Sequence, residues 1–423
     1  MKHVKQLLSA LLVLAVVLSL LPAGVLKASA AEAPAALDIG HPTFKNTELL
    51  DEVYDLSKLG VSYSEKDIMM AIYKQDLANG GDSFYMDRIL AREGVCNGNA
   101  GSNGNADGNT SLTRGRALYM YTSSPSVIGF GGNTAYHQPL GRGDLVRVLF
   151  SNADGSLTTK EDTSKRVNAP SNWSSTYSVG SNLTLDVVKF IHQENVAVTT
   201  MTLTNKSAED QAITVAADST FATEPGKVTV NGAEQTELTG TCSSPAGLTT
   251  IYARMTGDGF EAASSDDYCW LSRDVTVPAG GSVELKVVIA FTTEEIPEST
   301  EQYLRFAGLG NLEAVRAQKA EYNLYWAENL PYIDVPKKAV QKAIDYRWWL
   351  ERFNSLDANI PGYDYQYPVT IEGVLGYNNA IILTQPMHLQ DTKWLRSPYL
   401  AYGQLLSAGN SSQSSAFLDN PGN

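Results

Sequence analysis

The chain has 423 residues, with 46 acidic side chains against 32 basic ones and a net charge of −14. That balance makes the chain a poor partner for nucleic acid or an anionic membrane, since both require a basic face. Apolar residues at 43% and charged residues at 18% describe a globular chain. Five His and three Cys argue against both a zinc enzyme and a disulfide scaffold.

The first 30 residues hold Lys2, Lys5 and Lys27 and no acid, which leaves 29 basic against 46 acidic residues, a net −17. Lys2, His3 and Lys5 precede an apolar run from Leu7 to Leu21, and Ala28-Ser29-Ala30 follows as a small-residue cleavage pattern. Residues 1–30 therefore have the form of a secretory signal peptide, removed near Ala30. The apolar run falls short of the roughly 20 residues that span a bilayer. The expected product is secreted and extracellular, with no membrane anchor.

Residues 31–111 form a mixed segment, in which Ile68, Met69, Ile72 and Tyr73 fit one helix face. It ends in a Gly/Asn stretch, 97–109. There Asn103, Asn105, Asp107 and Gly108 imitate the start of a calcium-binding EF loop, but the twelfth position is Arg114 where a bidentate carboxylate is needed. A surface loop is the expectation, with no metal and no cofactor.

Residues 112–299 show a period of two. Val283, Leu285, Val287, Ile289 and Phe291 alternate with Glu284, Lys286, Val288 and Ala290, giving one buried and one mixed face. A short strand, 274–277, and a turn, 278–281, precede that strand. Asn231-Gly232 after Val228 and Val230 is a hairpin signal, because both turn positions tolerate positive φ. A second hairpin is expected where 183–190 and 196–203 flank Gln193-Glu194-Asn195. Strands at this spacing predict a large β-sandwich. Cys242 and Cys269 lie in strand-like sequence and could pair, leaving Cys96 over.

From Thr300 the period becomes helical. Residues 301–326 contain no Pro and only two Gly, and predict one linker helix within 300–330. Residues 331–423 begin with Asp334 and Pro336, suited to a cap and a first turn. Val340, Ile344 and Trp348 then give a stripe running to about Asn354. A second helix is expected over 373–389, kinked at Pro386. A third is capped by Asp391, with Trp394, Leu395, Tyr399, Tyr402 and Leu406 as its apolar side. Short connections imply antiparallel helical hairpins. The sequence stops at Asn423 within what looks like a continuing domain, so the chain is expected to be the N-terminal part of a longer protein.

Chemistry is expected in 361–373. Residues 331–423 contain 13 aromatics, about one in seven positions against 9% for the whole chain, and Asp364 and Glu372 lie among them. Tyr and Trp offer flat apolar faces with polar tips, which suit sugar rings. Glycosidic cleavage needs two carboxyl groups about one bond. A Tyr-rich loop can equally be a packed interface, and a Glu at a helix start can simply favour the macrodipole.

A linker helix leading into Trp326-Ala327-Glu328-Asn329-Leu330-Pro331 follows the β-sandwich. A helix ending Tyr346-Arg347-Trp348-Trp349-Leu350-Glu351-Arg352-Phe353-Asn354 comes next, and then Tyr367-Pro368-Val369-Thr370-Ile371-Glu372-Gly373-Val374-Leu375-Gly376-Tyr377-Asn378-Asn379-Ala380. Together these resemble the six-hairpin glycosidases, secreted bacterial glycoside hydrolases in which a β-supersandwich and linker helix precede an (α/α)6 barrel. Within that group the resemblance is to the β-L-arabinobiosidase type. It implies the first helical hairpins of such a barrel, truncated at Asn423. It implies that Glu372 is catalytic and that Asp364, Tyr365, Trp349, Asn378 and Asn379 bind substrate. The implied partner is a carbohydrate, of the plant-type and L-arabinose-containing class. The remaining acid–base groups would lie on later hairpins, so the chain alone is expected to be inactive. Two other classes compete: a glycan-binding module using Trp173, Tyr177 and Trp270 of the sandwich, and a structural surface protein. The oligomeric state is left open.

Overall fold

The computed structural model describes residues 118–417, apart from 122–126, 131–132, 137, 143–145, 169–170, 220–227, 231–235, 244–249, 266–267, 295, 331–335, 358, 360–366, 371–383, 411 and 414–415. All the described residues belong to one compact unit, Asp67–Asn423. The signal-peptide segment, the mixed segment and the Gly/Asn loop lie outside them.

A small sheet comes first: β1 (Leu118–Tyr121), β3 (Asn133–Tyr136) and β4 (Gln138–Arg142). The principal sheet has eight antiparallel strands. Their order is β12 (Val228–Val230), β13 (Glu237–Ser243), β14 (Thr250–Gly257), β17 (Ser282–Thr292), β10 (Val196–Asn205), β9 (Leu183–His192), β8 (Trp173–Val179) and β7 (Thr159–Asn168). A second sheet runs β15 (Glu261–Ser265), β16 (Tyr268–Val277), β11 (Gln211–Asp218), β5 (Val146–Asn152) and β2 (Gly129–Phe130), with β6 (Gly155–Ser156) beside β5.

The two sheets enclose one apolar core. Tyr177, Leu185, Val187, Met201, Leu285, Val287 and Ile289 from the first meet Val148, Phe150, Ile213, Val215, Leu271 and Val277 from the second. The β9–β10 hairpin forms as its sequence predicts. His192 stands opposite Val196, and Asn195 takes φ 59°, a left-handed conformation that Asn tolerates. Strands β12 and β13 pair antiparallel on either side of the Asn231-Gly232 turn, which lies outside the described residues. The 274–277 strand is the end of the longer β16. It pairs with β11, so the turn after it carries the chain from one sheet to the other.

The face of β17 expected to be mixed is buried from Lys286 onward, with Glu284 alone of its four residues exposed. Two helices cover it, α1 (Glu298–Gly308) and α2 (Asn311–Asn329), where a single helix was expected. The break falls at Leu309-Gly310, where the Gly310 N–H donates to the Glu313 carboxylate at 3.3 Å. Tyr303, Phe306 and Ala314 pack on Phe190, Val196, Val198, Val288 and Ala290. Lys286, on this face and 1% exposed, donates through Nζ to the Leu309 carbonyl and lies 3.3 Å from Asp258. A buried ammonium is tolerated only with such acceptors. The other buried lysine, Lys189, points between the sheets. It donates to the carbonyls of Val127 (2.8 Å) and Gly129 (2.7 Å), above the Trp173 ring. Gly129 is required there, since at φ 103° a Cβ would stand 2.2 Å from the Val146 carbonyl oxygen.

The expected helical hairpins of an (α/α)6 barrel are not formed. The described residues are a predominantly antiparallel β-sandwich, with five helices among them. Past α2 come α3 (Lys338–Phe353), α4 (Gln385–Thr392) and α5 (Tyr399–Asn410). The described residues that follow α3 form a two-stranded sheet, β18 (Ser355–Leu356) with β19 (Val369–Thr370), where a helical hairpin needs a short link to the next helix, and residues 373–383 of the expected second helix lie outside the described residues. Another such pair, β20 (Ser412–Gln413) and β21 (Ala416–Phe417), comes after α5. Helix α4 has eight residues, and Pro386 sits in its first turn, where its missing N–H costs nothing, instead of kinking a longer helix. Asp391 lies inside α4 and caps no third helix. Trp394, Tyr399, Tyr402 and Leu406 are exposed, with only Leu395 of the expected apolar side buried. Cys269 is a free thiol in the second sheet, so the pairing with Cys242 of β13 that the sequence left open is not made. No helix among the described residues is long and apolar enough to cross a membrane.

One ionic knot fastens α1 and α2 to the sheet. His192 Nδ1 accepts the Glu194 N–H at 3.1 Å, which leaves Nε2 to donate to Glu321 of α2 at 2.7 Å. Arg305 of α1 reaches the same carboxylate at 2.5 Å. Burial would raise the Glu321 carboxyl, but the hydrogen bonds and charges of His192 and Arg305 outweigh it and hold the group below its ordinary value. The stabilisation is therefore present above the ordinary carboxylate range and is lost as pH falls through the lowered value. Urea-unfolding midpoints measured between about pH 3 and 7 should show a shallower acid limb for Glu321→Gln than for the wild type; an identical limb contradicts the knot.

Candidate functional site

Of the residues expected from sequence to form the site, Asp364, Tyr365, Glu372, Asn378 and Asn379 lie outside the described residues. Trp349 is described. It is 1% exposed and its indole N–H donates to the Tyr322 hydroxyl at 3.0 Å, so its ring is packed against α2.

Helix α3 has no Gly or Pro within it, and its last turns place different residues on different neighbours. Trp349 and Arg352 face α2. The Arg352 guanidinium lies 3.7 Å from the ring centre of Tyr325, 4.4 Å from that of Tyr322 and 5.2 Å from that of Trp326. One nitrogen donates to the Gln193 side chain at 3.2 Å, on the β9–β10 turn. Burial lowers the guanidinium's proton affinity, and neighbouring Tyr322 and Tyr325 oppose that effect. Trp348 and Glu351, three residues apart on another face, turn toward α4. The Trp348 indole donates to the Asp391 carbonyl at 3.0 Å, and Arg347 pairs with the Asp391 carboxylate, its Nε at 3.0 Å from Oδ1.

Glu351, 4% exposed, is the hub of a polar network that joins four elements. One carboxylate oxygen accepts from the Thr370 hydroxyl of β19 at 2.9 Å. The other lies 2.8 Å from His388 Nδ1 on α4. The Gln404 amide of α5 donates to the Thr370 oxygen at 2.9 Å. The segment entering β19 is clamped as well. Gly403 approaches it so closely that a Cβ would stand 2.3 Å from the Pro368 carbonyl oxygen, and the Ser407 hydroxyl donates to the Tyr367 carbonyl at 3.4 Å. Thr370 precedes Glu372 by two residues in sequence. Among the described residues the remaining polar atoms of this cluster, His388 Nε2, both amide atoms of Gln385 and Gln404 Oε1, are buried without a hydrogen-bond partner.

Sequence reasoning passed over Glu351, Thr370, Gln385, His388 and Gln404. The signals for them are slight: a Glu three residues after a Trp on one helix, and a Gln three residues before one of only five His. No His/Cys/Asp/Glu group able to hold a metal ion occurs among the described residues.

No protein-family model matches the chain. Among solved structures it is similar to a protein assigned as a kojibiose phosphorylase from the human microbiome, at 10% identity and a TM-score of 0.45, over 66% of this chain and 41% of that one. It is similar to an inverting mannosidase of glycoside hydrolase family 92 from Bacteroides thetaiotaomicron, at 13% identity and a TM-score of 0.36, over 59% of this chain and 36% of the other. A second family 92 glycosyl hydrolase matches at 13% identity and a TM-score of 0.38, over 71% and 44%. The chain thus spans about two fifths of the length of these structures. All three are named as carbohydrate-active enzymes and none as an arabinobiosidase. At such identities and scores they assign the chain to no family.

The network makes a structural prediction of its own. Thr370→Val removes the donor to Glu351 and the acceptor of Gln404 in a buried place. It should cost about 1–3 kcal/mol by urea unfolding, whereas a cost near zero would show that the hydrogen bonds are not formed.

Proposed function

We propose that the chain is a carbohydrate-active protein of the glycoside hydrolase kind, exported by its first 30 residues, in which Glu372 supplies one of the two carboxyl groups that glycosidic cleavage requires. The observation that supports this most directly is the clamping of β19. Thr370 is fixed by buried Glu351 and Gln404, and Glu372, which lies outside the described residues, follows it by two positions in sequence. A carboxyl group that must meet a glycosidic oxygen needs such a rigid support, because small displacements of a reacting group lower rate steeply. The aromatic enrichment of 331–423 supports a sugar ligand in the same part of the chain. Asp364 is the local candidate for the partner carboxyl group.

The rival reading, a glycan-binding face on the β-sandwich, loses two of its three aromatics to packing. Trp173 and Tyr177 are 0% and 1% exposed and lie in the sandwich core, where no sugar ring can stack on them, whereas Trp270 of β16 is partly exposed. Calorimetric titration of the chain with neutral oligosaccharides tests the proposal. Glu372→Gln should keep the far-UV circular dichroism and weaken binding by roughly 10-fold or more, the loss of a hydrogen bond to a charged group. Unchanged affinity removes Glu372 from the site. Failure of the wild type to bind any saccharide rejects the reading.

A further inference from the structure

The donor directions in the Glu351 network can be assigned. An ionised carboxylate only accepts, so Thr370 donates its hydroxyl hydrogen to one oxygen and His388 donates Nδ1–H to the other. The Thr370 oxygen in turn accepts from the Gln404 amide N–H. His388 is thereby held with Nδ1 protonated, and in the neutral ring Nε2 presents a lone pair. The network leaves over three acceptors, namely His388 Nε2, Gln404 Oε1 and Gln385 Oε1, and one donor group, the Gln385 amide nitrogen.

These groups share one place in the fold. Gln385 and His388 are three residues apart on one face of α4. Helix α5, which carries Gln404, packs against both α4 and β19. Gln385 is 2% exposed and Gln404 1% exposed. A buried polar atom with no partner is costly, and the Gln385 side chain carries two. In a native protein such groups call for a partner, whether an ordered water, an ion or a bound ligand. With the His388 ring neutral, the left-over atoms are all uncharged. Arg347, one turn before Glu351 on α3, is engaged with Asp391. An anionic ligand would meet the Glu351 carboxylate, whereas hydroxyl groups, each both donor and acceptor, match three acceptors beside one amide donor.

We propose that Gln385, His388 and Gln404 form a subsite for a neutral, polyhydroxylated ligand, a saccharide without a carboxylate or phosphate; the proposal rests on the carbohydrate-active reading of the chain. The test uses the full chain. Saturation-transfer NMR and calorimetry with D-glucose, D-mannose and L-arabinose, and with D-glucuronate as the charged control, are compared for the wild type, Gln385→Leu and Gln385→Met. The Gln385 side chain makes no hydrogen bond within the described residues, so apolar replacements of similar size should leave the thermal midpoint equal or higher. At the same time they should weaken neutral-sugar binding at least tenfold. A purely structural glutamine would give the first effect without the second. Having two variants guards against one that folds poorly. Neutral sugars that bind wild type and variants alike overturn the subsite and leave the carbohydrate reading standing, and so does D-glucuronate binding as tightly as the neutral sugars. A wild-type chain that binds none of them overturns both.

Discussion

Strands β10 and β17 carry apolar side chains on both faces, so the eight-stranded sheet is stable only when both are covered. The second sheet covers one face and the α1–α2 pair the other. Each fully buried apolar side chain contributes about 1.5–3 kcal/mol, which makes the helix-covered face, with Phe190, Val196, Val198, Val288 and Ala290, a large requirement. The remaining organisation results from meeting it. Lys286 must cross the same buried layer, and it does so by donating to the carbonyl at the end of α1. Asn311, at the start of α2, donates to the carbonyls of Met201 and Leu285 at 3.0 and 3.2 Å and fixes that helix on the central strands.

Once α2 is fixed, its aromatic turn becomes the anchor for α3. Tyr322, Tyr325 and Trp326 surround the Arg352 guanidinium, and Tyr322 takes the Trp349 indole N–H. Helix α3 is thereby oriented by one set of its residues toward the sandwich, and its other set, Trp348 and Glu351, faces α4 and β19. The polar network around Glu351 is thus built on a packed scaffold and not on a surface loop. A hydrogen-bonded chain through Gln404, Thr370, Glu351 and His388 polarises along its length, and a buried network of this kind rigidifies the elements it joins.

The sandwich was legible in the sequence because period-two alternation and turn residues report local geometry. The β9–β10 hairpin is signalled by Asn195 between two apolar runs. The second buried face of β17 was not legible, since Val288 and Ala290 beside Glu284 and Lys286 suit a half-wet strand equally well. The helical-hairpin expectation failed for a related reason. Trp394, Tyr399, Tyr402 and Leu406 recur at helical spacing, but periodicity cannot say whether a stripe meets a partner, and in this fold these four are exposed. Nor could it see that Val369-Thr370 pairs with Ser355-Leu356, since a two-residue strand has no period. The network around Glu351 gathers residues from positions 351 to 404, which no local pattern links.

On the proposed function, α3, α4, α5 and β19 form the sugar-facing part of the chain, with the sandwich as support. Hydrogen–deuterium exchange of the full chain, with and without a saturating neutral oligosaccharide, tests it most directly. Binding should slow exchange in β19, α4 and α5 and leave exchange in β7 to β17 unchanged. Protection confined to the sandwich strands, with α4 and α5 unaffected, would contradict it.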